Sequence, residues 1–340
     1  MKTRLTALLA LAILLGLEGT AQAQNLGDLF RKVTPSVVVI RARGREVSSA
    51  GVTRFSEIGS GVMISTDGKV MTAAHVVNAM DEITVEAVGG EKVAARVIAS
   101  EPGADLSLLK MDHVPASMTS APMADSNTVR VGDQVMIIGA PYGLSHSMSV
   151  GWISARWPPD TVYKNMPLAE FFQTTATINT GNSGGPMFNM AGEVIGIVSH
   201  NISKSGGSEG LGFVVTMNTA KKLLLEKASF WSGIDGTMLT GELAAIFNVP
   251  DPPAFLVRTV AKGSSAWDMG LLGGDTIAII NGQQIAVGGD IILSVNGLPI
   301  GPSGNIERIR SDLAARPAGS LFTMKVLRAG KVIELTGKTQ

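Results

Sequence analysis

There is no cysteine among the 340 residues, so no disulfide can hold the fold and its apolar cores must suffice. Charge is sparse: 16% of residues are charged, Lys+Arg and Asp+Glu number 28 each, and the formal net charge is zero. No basic stripe or acidic tail is present, which argues against nucleic acid or a polyanion as a partner. Aromatics make up only 5%. No G-x-x-x-x-G-K-[ST] phosphate loop is visible and no metal-ligand spacing stands out, so neither a cofactor nor a metal is implied.

The one long apolar run lies at the start. Lys2 and Arg4 precede an apolar stretch from Leu5 to Leu17, and Ala21-Gln22-Ala23 follows. That order of charge, apolar core and small residues is the pattern of a secretory signal over 1–23, cleaved after Ala23. The run is short for a membrane span, although an uncleaved anchor is the alternative. The mature chain is therefore expected outside the cytosol.

What the chain has in quantity is glycine, 40 residues of it. Short Val- and Ile-rich runs separated by Gly, Asp and Asn extend from about 37 to 215, which predicts an all-β barrel or sandwich. A short helix is expected before Pro35 and a strand over 37–41, with 42–58 as a polar loop. Asp67-Gly68 and Ala191-Gly192 sit where hairpin turns would fall. Helical spacing over 218–229, capped by Asn218, closes this first part. A smaller mixed region follows, with strands near 231–240 and 254–260, a helix over 305–315 and a hairpin at 328–331. "GGDTIAIINGQQI" (273–285) is echoed by "GGDIILSVNGLPI" (288–300), and both copies read as hairpin arms.

"INTGNSGGPMF" (178–188) surrounds Ser183 with glycines between two apolar runs. Glycine there permits a sharp turn or a close approach of backbone. The Ser is either an exposed nucleophile or part of a hairpin loop. A serine nucleophile needs a base, usually His held by a carboxylate. Of His75, His113, His146 and His200, only His75 ends an apolar strand at the start of a turn, in "VMTAAHVVNA". His113 and His146 read as solvated loop residues. His200 competes by its proximity in sequence but reads as a pocket wall. Asp105 in "GADLSLLKM" precedes an apolar run, whereas Asp67, Asp81, Asp125 and Asp133 sit in ordinary turn contexts.

"TAAHVV", "ADLSLLK" and "GNSGGP", in that order, together with "GEVIGIVSHN" and "GLGFVVTMNTAKKLL", resemble the HtrA (DegP-like) family of chymotrypsin-like serine proteases. The resemblance covers nearly the whole mature chain. It implies a mostly β protein: a chymotrypsin-like double β-barrel over 24–229 followed by a small α+β PDZ domain over 230–340. His75, Asp105 and Ser183 would be the catalytic triad, with the N–H groups of Gly181 and Ser183 as the oxyanion hole. Asn182 replaces the Asp through which digestive zymogens are activated, so activation by N-terminal cleavage is not expected. Thr177 would floor the specificity pocket, with Ile178, Ser199, His200 and Asn201 nearby. That set favours small or medium aliphatic residues at the cut site.

The same resemblance makes Trp231, Ser232, Gly233 and Ile234 the peptide-binding loop of the PDZ region. "GLGF" at 210–213 is instead read as the last protease strand. Ser232 stands where an apolar residue is usual, and 273–287 reads as an insertion, so a packing module without a free groove is the alternative. The partners implied are unfolded polypeptides, C-terminal peptides and two further copies of the chain in a homotrimer, in a periplasm. A processing protease of a stress-signalling pathway and a holdase-type binding protein are the competing functions.

Overall fold

The computed structural model describes residues 25–339 apart from 145, 164–165, 206 and 302–304, so the leader assigned to 1–23 lies outside the described residues. Helix α1 (Leu26–Val33) is capped by the Asn25 side chain, which accepts from the Gly27 N–H at 2.9 Å. Six strands follow: β1 (Val37–Ser48), β2 (Gly51–Met63), β3 (Lys69–Thr72), β4 (Glu82–Glu86), β5 (Lys92–Glu101) and β6 (Leu106–Met111). Between β3 and β4 lies a single helical turn, α2 (Ala74–Val77). The strands close into a barrel in the order β1-β2-β3-β6-β5-β4. Val38, Ile40, Met63, Val70, Val85 and Leu109 fill it.

A second barrel has the order β10-β11-β12-β9-β8-β7. Its strands are β7 (Gln134–Gly139), β8 (Ser147–Trp157), β9 (Phe171–Thr174), β10 (Pro186–Phe188), β11 (Val194–Asn201) and β12 (Gly212–Thr216). "GLGF" thus runs into β12, as expected for the last barrel strand. Met71, Leu106, Met136, Phe171 and Phe188 belong to one buried cluster that spans the two barrels. These paired barrels are the chymotrypsin-like architecture.

Two local expectations need correction. Residues 42–58 are not a loop: β1 and β2 pair without interruption from Val37↔Val62 to Ser48↔Gly51. Their outer half projects beyond the barrel as a two-stranded arm, where exposed and half-buried positions alternate along β2. An arm with so little core to face carries mostly polar residues, which hides its strand character from a hydrophobicity count. The closing helix is also shorter than 218–229. It starts at α3 (Met217–Lys221), with Thr216 at the cap position, and continues as a π turn over Lys222–Glu226. Asn218 does not cap it; its side chain bridges instead to Asp125 at 2.7 Å and to the Ser126 N–H at 3.2 Å.

The remainder is α+β. Strands β13 (Ile234–Leu239) and β14 (Ala254–Val260) flank α4 (Gly241–Ile246), and α5 (Ser265–Asp268) follows. Next come β15 (Thr276–Ile280), β16 (Gln283–Val287), β17 (Ile291–Val295), β18 (Leu298–Pro299), α6 (Asn305–Ala315), β19 (Leu321–Arg328) and β20 (Lys331–Lys338). The main sheet runs β13-β14-β17-β19-β20, with β18 paired to β17. Val257, Ile292, Ile309, Leu313, Phe322 and Val326 pack beneath it. The echoed segments are both hairpins, but they have parted: β17 and β18 join the main sheet, while β15 and β16 form a sheet of their own.

This region is fastened to the first barrel beside α2. The Trp231 indole N–H donates to the Asn78 carbonyl at 2.8 Å, and Asn78 in turn donates to the Ile234 carbonyl at 3.2 Å. Arg45 of the β1–β2 arm forks onto Asp81 at 2.7 and 3.1 Å, reaches the Val260 carbonyl at 2.9 Å and lies over the Trp267 ring. Arg310 of α6 bonds the Ser100 carbonyl and lies 3.4 Å from Glu101.

Candidate active site

His75 sits on the one-turn helix α2, directly after β3, so the barrel wall fixes its backbone. Asp105 follows the turn Pro102–Ala104 and adopts a left-handed conformation (φ 53°, ψ 43°), which Asp tolerates better than most residues. Its carboxylate lies 3.0 Å from His75 Nδ1 through each oxygen and accepts the His75 backbone N–H at 3.0 Å. The carboxylate is buried and the imidazole half-exposed, so one side of the ring is held while the other faces the cleft.

Asp105 has a further partner that the sequence placed elsewhere. The Ser199 hydroxyl, from the end of β11, donates a short hydrogen bond to Asp105 Oδ2, and Ser199 is buried. The contact joins positions 94 apart, so no local pattern could have announced it. Burial pushes the Asp105 carboxyl up, but the hydrogen bonds and charge of His75, with the Ser199 hydroxyl and the His75 N–H, bring it below its ordinary value. Burial opposes the charged form of His75 as well. The hydrogen bond and charge of Asp105, helped by Glu57, outweigh it, and His75 is raised.

Ser183 stands on a turn that only glycine could build. Gly181 (φ +101°) would place a Cβ 2.1 Å from the Ala140 carbonyl oxygen, and Gly184 (φ +83°) would place one 2.3 Å from the Ser60 carbonyl oxygen. Ser60 of the first barrel stitches the turn in place. Its N–H donates to the Ser183 carbonyl at 2.8 Å, and its hydroxyl donates to the Gly181 carbonyl at 2.7 Å. The N–H groups of Asn182, Gly184 and Gly185 are taken up by the carbonyls of Asn179, Val198 and Asn182. Those of Gly181 and Ser183 have no acceptor among the described residues. The Ser183 hydroxyl donates to the Ser199 carbonyl at 3.2 Å, and no hydrogen bond joins it to His75.

The other sequence candidates fall around this centre. Thr177 is exposed, and its carbonyl accepts from the Asn182 side chain at 3.4 Å. Ile178 is buried in the second barrel against Gly212. Asn201 donates to the Gly207 carbonyl at 3.1 Å. His200 meets Ser199 Oγ at 2.8 Å, stacks on Phe213 and faces Tyr163 edge-on; burial pushes it down to about 4. His113 is exposed beside Glu91, as a loop residue should be. His146 is half-buried and meets the Val37 carbonyl at 3.1 Å, so it is less solvated than its loop suggests. Of the proposed peptide loop, Trp231 is buried against the first barrel, while Ser232 and Ile234 line a cavity of about 350 Å³ between β13 and α6. Gly233 (φ +68°) leads into β13.

A larger cavity, about 750 Å³, opens over His75 and Asp105. Glu57 and Phe55 of the β1–β2 arm, Met166 and His200 also line it, and so do Ile277, Gln284 and Ala286 of the β15–β16 hairpin.

Two six-stranded barrels with a His–Asp pair and a glycine-built serine turn at their junction define a trypsin-like serine peptidase fold. The family profile "Trypsin-like peptidase domain" matches residues 59–197. The Haemophilus influenzae protein named "Probable periplasmic serine protease do/HhoA-like" is 33% identical over 94% of this chain and 72% of its own length. "Periplasmic serine endoprotease DegP" of Escherichia coli K12 is 33% identical over 84% of this chain, which spans 58% of that relative. Among solved structures, the HtrA-type protease AlgW with a decapeptide superposes with a TM-score of 0.53 at 26% identity, covering 93% of this chain and 98% of that one. The chain belongs to the HtrA (DegP-like) family of serine endoproteases.

Proposed function

We propose that this protein is an exported, periplasmic, ATP-independent serine endopeptidase that degrades unfolded or damaged polypeptides. Ser183 is the nucleophile, His75 its base and Asp105 the carboxylate that holds the imidazole. The observation that carries the reading is the His75–Asp105 pair at 3.0 Å, set across the barrel junction from the serine turn. His75 takes the Ser183 proton as the hydroxyl oxygen bonds to the scissile carbonyl carbon. The proton then passes to the leaving amine, and water repeats the sequence to free the acyl group. Asp105 fixes the tautomer and stabilises the imidazolium, in keeping with the raised His75.

The N–H groups of Gly181 and Ser183, which flank the spent N–H of Asn182, serve as the oxyanion hole and are left to meet a developing negative oxygen. In the free protein the Ser183 hydroxyl turns to the Ser199 carbonyl, so it must rotate toward His75 when substrate binds. Thr177 and Ile178 bound an uncharged pocket that suits small aliphatic side chains. Residues 230–340 act as a PDZ domain, with the cavity between β13 and α6 receiving a C-terminal peptide along Ser232 and Ile234. A homotrimer built through the α1 segment completes the reading.

A narrower role is favoured by one finding: the AlgW structures that resemble this chain carry short bound peptides, a decapeptide and a tripeptide. A peptide-gated processing protease would cut one native partner rather than many unfolded ones. The test is digestion of unfolded casein by mature chain 24–340 beside Ser183→Ala, with and without an apolar C-terminal peptide. Many fragments from the unmutated chain alone are expected, with more when peptide is added. Equal digestion by both chains would sink the nucleophile assignment.

A further inference from the structure

The β15–β16 hairpin is the inserted copy of the echoed segment, and it has left the main sheet to stand over the cleft. We propose that it is a wall of the substrate-binding cleft that selects apolar side chains of an extended polypeptide near the bond being cut. This rests on the serine-peptidase reading of the same cleft.

Alternation gives the ribbon two faces. Ile277 pairs across to Ala286, and Ile279 to Gln284, so these four side chains share one face. Ile280, Ile285 and Val287 lie on the other and pack into a cluster with Leu239, Leu256 and Ile291. The first face meets the active-site cavity: Ile277, Gln284 and Ala286 line it together with His75 and Asp105. Ile279 is next along the same face and is 74% exposed, the most exposed large apolar side chain among the described residues. Ile279 pairs with Gln284, which lines the cavity, so it extends the apolar face of Ile277 and Ala286 outward from His75, and a polypeptide seated beside His75 would cover it. Phe55 and Met166 supply further apolar lining in the same cavity. The opposite face of the ribbon is anchored in a core, so the cleft face is held rigidly rather than on a free loop.

The test uses two readouts. In a Ser183→Ala chain, p-benzoylphenylalanine in place of Ile279 should photocrosslink to unfolded casein. The same probe in place of Val332, an exposed residue of β20, should not. Equal yields at the two positions would overturn the proposal whether or not Ser183 is the nucleophile. In the active chain, Ile279→Asp should raise KM about tenfold, hold kcat within about twofold, and weaken the apolar preference at one subsite. Gln283→Asp, on the opposite face, should change neither. An unchanged KM and cut-site profile for Ile279→Asp would also overturn it. If the unmutated chain cuts nothing while the crosslink at 279 forms, the peptidase reading fails and the ribbon remains a polypeptide-binding wall.

Discussion

At the scale of the residue, two histidines one cleft apart are tuned in opposite directions. His75 is raised, so the neutral base forms only as pH climbs past the ordinary imidazole range of about 6.5. The acid limb of kcat/KM should therefore have its midpoint above that range. Asp105→Asn should lower kcat by about 10⁴, because the imidazole loses its fixed tautomer. The residual activity should titrate at lower pH, since the charge that raised His75 is gone. His200 is held neutral by burial, with a value of about 4. Its folded value lies below the unfolded one, so its contribution to stability is present above about pH 6.5 and is lost as pH falls toward 4. His200→Phe, which keeps the stack on Phe213, should flatten the fall of Tm between pH 6.5 and 4. A curve that keeps the same slope would remove His200 as a source of acid sensitivity.

At the scale of the element, the serine turn is made rigid from both barrels. Gly184 comes from the second, yet the atoms nearest an added Cβ are Thr72 Oγ1 and the Ser60 carbonyl of the first. A side chain there is strained by its left-handed backbone and also wedges the seam open. Gly184→Ala should cost about 2–5 kcal/mol in urea unfolding and abolish cleavage. Ser60→Ala is milder. It removes two hydrogen bonds, to the Gly181 carbonyl and from the Ala140 N–H at 2.9 Å, without a clash. A loss of about 1–3 kcal/mol is expected, with a larger fall in kcat than in Tm would suggest, because the turn that aims Ser183 loosens.

Such turns show how far local sequence carries. The glycines around Ser183 were legible because glycine has few other reasons to cluster between apolar runs. Helix 305–315 and the hairpin at 328–331 were legible from periodicity and turn residues, and "GLGF" was legible as the start of the last barrel strand from its place between the serine turn and the closing helix. The β1–β2 arm was not, since a ribbon outside the core lacks an apolar face. Asn218 looked like a helix cap by residue type, but a partner 93 positions away claimed its side chain. The neighbours of Ser199 in the chain suggest pocket lining, and nothing beside it marks the hydrogen bond it gives Asp105.

At the scale of the whole molecule, the residues after 230 are clamped beside the helical turn that carries His75. Trp231 and Asn78 are the hub of that clamp, and Asn78 lies one residue beyond α2. Trp231→Ala removes an indole buried in the first barrel's cluster together with its hydrogen bond. A loss of about 3–5 kcal/mol from the coupling is expected, read as a split thermal transition and as protease nicking between 226 and 232. A single, undivided transition would mean that the Arg45 and Arg310 contacts suffice alone.

The sequence by itself determined the parts list: a β-rich chain without disulfides, a leader pattern, a mixed C-terminal region, and the three blocks that hold His75, Asp105 and Ser183. Those follow from short-range chemistry, from side-chain alternation, turn-forming residues and the backbone freedom of glycine. Only the tertiary structure decided which parts meet. Closure of two barrels brings residues 75, 105, 183 and 199 to one seam and leaves the Gly181 and Ser183 N–H groups idle. It also folds one of two similar segments into the main sheet and sets the other over the cavity beside His75. Such contacts span tens to hundreds of residues and are chosen by the packing of whole faces, which no window of sequence contains.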